Sequence, residues 1–208
     1  MNGSRRKRFA GIMALFHGKY FALNPTMPLI HEVALPHTVH ATLQTSMRKF
    51  FSLPMAAVWE ILGKTISAYQ QSQDFHVHAA VLMSNHVHLL LTSPVDETEQ
   101  LLDSLARKLA FQVRLKLGPP GLQFGLYPHS YKILNPVYFS RAFKYIYRNP
   151  VCAGLCKRVE EYPYSSITAW LGSTPLRFPL HETYFSQLMI PTNSAELLHW
   201  LNTPSQAS

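Results

Sequence analysis

From Phe75 to Thr92 apolar and polar side chains alternate in two runs, Phe75–Met83 and His86–Thr92, parted only by Ser84 and Asn85. Period-two alternation on either side of a two-residue gap predicts an antiparallel hairpin. In that register Met83 pairs with His86 and Val81 with His88. Val87, Leu89 and Leu91 then face a core, while His86 and His88 share the opposite face, roughly 7 Å apart along the strand. Paired residues share a face, so His76 and His78 fall on the side of Val87. This second His-x-His would complete the first only through a register slip, and a three-residue loop would reverse the assignment.

Around the hairpin the apolar spacing changes to three and four. Ser52 and Pro54 resemble a helix start, and Met55, Val58, Trp59, Leu62 and Ile66 form a stripe that should end near Gln71. Val39–Leu43, after Pro36, reads as an earlier strand. Downstream, Asp96, Glu97 and Glu99 enrich a first turn, Leu102, Leu105, Leu109 and Val113 supply a buried stripe, and Gly118-Pro119-Pro120-Gly121 is the stop. Leu122–Ile133 is irregular to extended and could add a strand. Asn135-Pro136 is an N-cap followed by a first-turn proline, opening a helix that should stop before Pro150.

That last helix has two lines. Phe139, Ala142, Phe143 and Ile146 are apolar; Tyr138, Arg141, Tyr145 and Asn149 share another face by their spacing of three, four and four. Tyr147 lies about 200° around the axis from Tyr145, so the two phenols cannot serve one site. Two imidazoles on one strand face can share a metal ion, although an isolated His-x-His is more often solvated or hydrogen-bonded.

Composition narrows the partners. The 208 residues suit one domain with extensions, and 19 Lys and Arg against 11 Asp and Glu give a formal net charge of +8. Nucleic-acid phosphate is the commonest partner for such a balance. The two cysteines, Cys152 and Cys156, read as free thiols, and no apolar run reaches the roughly 18 residues of a membrane span. Arg5-Arg6-Lys7-Arg8 precede a short apolar run that His17 and Lys19 interrupt, so a cytoplasmic protein with a basic arm, either touching DNA backbone or simply solvated, is expected.

Two stretches then carry a resemblance. Val81-Leu82-Met83-Ser84-Asn85-His86-Val87-His88-Leu89-Leu90, followed by Tyr145-Ile146-Tyr147-Arg148-Asn149-Pro150-Val151-Cys152-Ala153-Gly154-Leu155 and Tyr162-Pro163-Tyr164-Ser165-Ser166, resemble the signatures of single-tyrosine HUH transposases, and more closely the REP-associated tyrosine transposases of the IS200-like group. The resemblance implies an α+β, ferredoxin-like antiparallel sheet with helices on one face, in a domain over residues 36–171. Prolines without a sustained period mark 1–35 as a basic extension, and prolines with the amphipathic piece Leu197, Leu198, Trp200 and Leu201 mark 172–208 as a tail docking on the domain. By the same resemblance His86, His88 and Asn149 match the metal ligands and Tyr145 the nucleophile. Mg²⁺ or Mn²⁺ is the implied cofactor, single-stranded DNA with a hairpin the implied partner, and metal-dependent cleavage and strand transfer through a 5′-phosphotyrosine the implied activity.

Candidate phosphate contacts are Arg141, Lys144, Arg148 and Lys132, together with Arg5, Arg6, Lys7 and Arg8. Where the family often has arginine after Asn-Pro-Val, this chain has Cys152. Two other readings stay open, a domesticated protein that binds hairpin DNA without cutting and a metal-dependent hydrolase using water. A homodimer exchanging its tyrosine helix and a monomer are both compatible with the resemblance.

Overall fold

The computed structural model describes residues 37–119, 124–182 and 190–204. Their elements belong to the compact unit Val33–Thr203. The candidate arm Arg5–Arg8 lies outside the described residues. Four strands, β1 (Thr38–Thr45), β2 (His76–Leu82), β3 (His86–Thr92) and β4 (Leu126–Ile133), form one antiparallel sheet in the order β2-β3-β1-β4. Helix α1 (Met55–Gln70) joins β1 to β2, and α2 (Thr98–Leu117) joins β3 to β4. This is the ferredoxin-like α+β arrangement, extended by α3 (Pro136–Cys152), a short α4 (Ile167–Trp170) and α5 (Ser194–Asn202).

The helices lie on both faces rather than one. Val39, Ala41, Leu43, Val87, Leu89 and Leu91 pack with Val58, Leu62 and Ile66 of α1 and Leu102, Leu105 and Leu109 of α2. Leu90, Val81 and Met83 pack instead with Phe139, Phe143, Ile146 and Tyr147 of α3 and Leu197 and Leu201 of α5. Sheet alternation therefore delivers Val87, Leu89 and Leu91 to one core, and His86, His88 and Leu90 to the face that α3 covers. Each fully buried Phe or Ile on α3 contributes roughly 1.5–3 kcal/mol, which is what fixes that helix over the histidine strand.

The hairpin has the expected register at its turn. Val81 pairs with His88, and Met83 N–H donates to His86 O at 2.7 Å. Further along β2 the pairing slips between Val77 and Ala79, leaving His78 as the extra residue of a β-bulge. The slip keeps Val77 opposite Leu91, places His76 opposite Thr92, and turns His78 toward Phe139, with ring centroids 5.1 Å apart. So His76 and His78 lie on the α3 face and not with Val87. The physical reason is satisfaction: in the bulge His78 bonds Thr92 Oγ1 (2.8 Å) and His181 O (2.9 Å), whereas an imidazole aimed into the apolar core would lose both.

At α3 the Asn135 side chain caps the start by accepting from Tyr138 N–H at 3.0 Å. The helix does not stop before Pro150 but runs through it to Cys152, ending where Gly154 takes a positive φ of 72°. A proline this close to the end forfeits a single intrahelical bond, and its buried ring repays part of that loss. The Tyr162–Ser166 stretch blunts the exposed edge of β2: Tyr164 O accepts from Leu82 N–H (2.9 Å), Ser166 N–H donates to Ala80 O (2.8 Å), and Tyr162 OH donates to Leu82 O (2.7 Å). Among the described residues no helix is long and apolar enough to cross a membrane.

Candidate active site

His86 opens β3 directly after the Ser84-Asn85 turn. Its Nδ1–H donates to Asn85 Oδ1 at 2.6 Å, and its Nε2 stands 3.0 Å from His88 Nε2. His88 is buried, and its Nδ1 meets His40 Nε2 at 3.0 Å and Thr42 Oγ1 at 3.3 Å. β1 pairs Thr42 with His88 and Gln44 with His86, so this row of polar β1 side chains is carried to the histidine pair by register alone. The sequence reading missed His40. Its signal was the strict alternation Val39-His40-Ala41-Thr42-Leu43, which puts His40 on the polar side of a strand neighbouring β3.

From α3 come the other two groups. The Tyr145 ring lies 5.9 Å from that of His88 and 5.8 Å from that of His40, both edge-on. Asn149 donates through Nδ2 to Tyr145 O, one turn back, at 2.9 Å. Its side chain is close enough to His88 and to the Tyr145 phenol to act on the ionisation of both. The four residues singled out as ligands and nucleophile, His86, His88, Asn149 and Tyr145, are thus brought together within one chain. Tyr147 is elsewhere: it is buried, its hydroxyl bonds Ser166 Oγ (2.8 Å) and accepts Trp170 Nε1–H (3.0 Å), and burial raises its pKa.

Burial sets the protonation of this cluster. It lowers His86 to about 4, with Arg48 adding, and His40 to about 4, with His86 adding. Burial also holds His88 well below its ordinary value, His40 and His86 adding and Asn149 opposing. All three imidazoles are neutral near pH 7, the state in which imidazole is a ligand. Tyr145 is raised by burial, against a hydrogen bond from Asn149, so its phenol keeps its proton until it reacts.

The donor set fits a divalent cation. Because Asn85 Oδ1 accepts from His86 Nδ1–H, His86 Nε2 carries a lone pair. It points at His88 Nε2, whose own lone pair is freed when His88 Nδ1–H donates to His40 or Thr42. Two lone pairs 3.0 Å apart repel unless a proton or a cation sits between them. Neighbouring donors on an octahedral ion with bonds of about 2.1 Å stand about 3.0 Å apart. Among the described residues no group of three His, Cys, Asp or Glu side chains could hold an ion; the Asn149 side chain is the amide that reaches His88.

The candidate cations are scattered. Arg141 is exposed on α3, one turn before Tyr145. Lys144 lies over the Trp200 ring at 5.1 Å, its pKa lowered by burial and by Arg148. Arg148 donates through Nη1 to Leu201 O and Asn202 O, both at 2.9 Å, and so caps α5. Lys132 is opposite Val39, on the α1/α2 side of the sheet and away from the histidine pair.

Fold and cluster together define the class: a ferredoxin-like domain with a histidine pair on an inner strand and a tyrosine and an asparagine on a helix laid over it. No family model and no curated protein matches the sequence. Among solved structures, that of a REP-associated tyrosine transposase bound to a REP hairpin matches with a TM-score of 0.53 and 20% identity, over 74% of this chain and 93% of that one. The chain shares the fold of that protein.

Proposed function

We propose that the protein is a metal-dependent, cytoplasmic single-stranded DNA endonuclease and strand transferase of the single-tyrosine HUH type, acting at hairpin-forming sequences as a transposase does. The observation that carries this reading is the convergence of His86 and His88 with Tyr145 and Asn149 on one face of the sheet. The fold shared with a hairpin-bound tyrosine transposase supports it, and so does the formal net charge of +8.

His86, His88 and Asn149 would hold Mg²⁺ or Mn²⁺, which supplies Lewis-acid polarisation of a phosphodiester oxygen. The chain does the rest. Neutral imidazoles bind without first losing protons, and the Asn149 amide, tied back to Tyr145 O, ties the ligand position to the nucleophile one helical turn away. Tyr145 Oη forms a bond to phosphorus as the phosphorus–O3′ bond breaks. The phenol's proton leaves to solvent, the departing 3′ oxygen takes one up, and a 5′-phosphotyrosine with a free 3′-hydroxyl results. Since the phosphoryl bond is conserved in the adduct, a 3′-hydroxyl can reverse the step on a new strand with no nucleotide cofactor. All four of these side chains come from one chain.

The test is incubation with hairpin-bearing single-stranded DNA and Mn²⁺, followed by a denaturing gel. A covalent adduct is expected with the parent protein and with Tyr147→Phe, and none with Tyr145→Phe. Hairpin binding without an adduct would point to a non-cleaving binder, and cut DNA without a covalent species to a hydrolase using water.

A further inference from the structure

Between β1 and α1 the chain makes a loop, Ser46–Phe50, that the proposed chemistry does not use. Met47 and Arg48 both take positive φ, 52° and 57°, a region that non-glycine side chains occupy only when the surroundings hold them there. The holding bonds are visible. Ser46 N–H donates to Gly125 O (3.1 Å), Thr45 Oγ1 donates to Lys49 O (2.5 Å), and Phe51 N–H donates to Ser84 O (2.9 Å). The loop buries Phe51 and turns out its neighbours, leaving Met47 79% and Phe50 73% exposed.

This loop is joined to the site by one side chain. Asn85 donates through Nδ2 to Arg48 O at 2.9 Å, and its Oδ1 accepts from His86 Nδ1. Tyr127 of β4 sits opposite Gln44, on the His86 face of the sheet, and is 58% exposed. Gly125 lets these parts approach: a Cβ there would lie 3.2 Å from Ser46 Oγ and 3.6 Å from the Tyr127 hydroxyl.

We propose that the Ser46–Phe50 loop and Tyr127 form a clamp for the unpaired DNA nucleotides beside the scissile phosphate, Phe50, Met47 and Tyr127 against base faces and Arg48 and Lys49 on phosphates. The proposal rests on the function proposed above and adds where the single strand lies. Two exposed cations interleaved with exposed apolar and aromatic side chains match a polyanion whose bases are unstacked. Stacking reads every base through its π-face, so the clamp would grip the flank while other parts of the protein select the hairpin.

The experiment compares a hairpin carrying single-stranded flanks with the same hairpin cut flush, using the full chain. 2-Aminopurine is placed at successive flank positions to report stacking. In the parent protein the fluorophore is expected to be quenched at one or two positions next to the cleavage site. The substitutions Phe50→Ser and Tyr127→Ser should each lower the ratio of flanked to flush affinity by about 5- to 150-fold per lost stack, and Phe50→Trp should restore it. Arg48→Gln should reduce the salt dependence of flanked binding by about one phosphate contact. If the parent forms the adduct yet shows no flank quenching, or the serine variants leave the ratio unchanged, the clamp is wrong and the function stands. Equal weakening on both DNAs also overturns it, since the loop would then act on the hairpin or the fold. A parent protein that neither forms an adduct nor binds either DNA overturns both.

Discussion

The chain carries two His-x-His motifs on adjacent strands, both on the face that α3 covers, and they come to opposite ends. In β2, His78 spends both ring nitrogens on Thr92 Oγ1 and His181 O, with Phe139 against its ring. His76 stacks on His181 with centroids 3.9 Å apart. In β3, Asn85, His40 and Thr42 engage the Nδ1 atoms of His86 and His88, which leaves the two Nε2 atoms facing each other beside Tyr145 and Asn149. Thr92 lies four residues beyond His88, roughly 13 Å along the strand, so the two motifs occupy different ends of one face. Ligand capacity is therefore decided by which ring nitrogen the neighbours leave over, and the motif by itself does not reveal that.

The largest effect should come from removing one partner of the facing pair. His86→Ala and His88→Ala should each abolish Mn²⁺ binding in calorimetry and reduce the covalent DNA adduct to background. His78→Ala should keep both, since its ring has no nitrogen to offer. Undiminished Mn²⁺ binding in the His88 variant would break the comparison, because the facing nitrogens would then not be the ligands.

The second effect separates the motifs by acid. Burial lowers His78 to about 4, with His181 and His76 adding and the bond to His181 O opposing. A folded-state pKa below the unfolded one means that the unfolded chain binds more protons between pH 4 and 6.5. Stability is thus fully present above about pH 6.5 and is lost as pH falls toward 4. A shift of this size is worth on the order of 3 kcal/mol. His78→Gln should be less stable than the parent at pH 7, for want of the bonds to Thr92 and His181, yet lose less on acidification. Urea melts at a series of pH values check this, and parallel profiles for parent and variant would refute it.

Third, His40 should matter through His88. Removing a group that orients a ligand imidazole typically costs 10- to 100-fold in metal affinity. His40→Ala is expected in that range, toward the lower end because Thr42 Oγ1 also reaches His88 Nδ1. Calorimetry with Mn²⁺ reads the effect directly, apart from any loss of adduct. An unchanged affinity would mean that Thr42 alone sets the His88 ring.

Much of this was legible in the chain. Period two gave the hairpin and its turn register, and the three-four spacing gave α1, α2 and the start of α3. The grouping of Tyr145 with Asn149, and the separation of Tyr147 from both, follow from helical geometry. Other features were hidden because they depend on contacts made only after folding. The bulge at His78 arises from a competition between strand alternation and hydrogen-bond satisfaction by His181, more than a hundred residues away in sequence. Arg148, a candidate phosphate contact, also caps through its guanidinium a helix that no local pattern connects to α3. His40 was readable as a polar strand position, while its neighbour in space required the β1–β3 register. Pro150 was misread as a stop because a proline near a helix end costs little.

The smallest effect tests whether the outer histidine of the β2 motif does anything at all. His76 lies opposite Thr92 and is partly exposed, stacked on His181 and 3.8 Å from the exposed carboxylate of Asp74. An ion pair so exposed and long contributes little, and the stack between two imidazoles removes only modest area from water. His76→Ala should change stability by no more than about 0.5 kcal/mol and leave Mn²⁺ affinity and adduct formation as they are. A substantial loss of metal affinity in this variant would mean that the β2 motif communicates with the β3 pair along the shared sheet face, and the contrast between a spent motif and a working one would have to be given up.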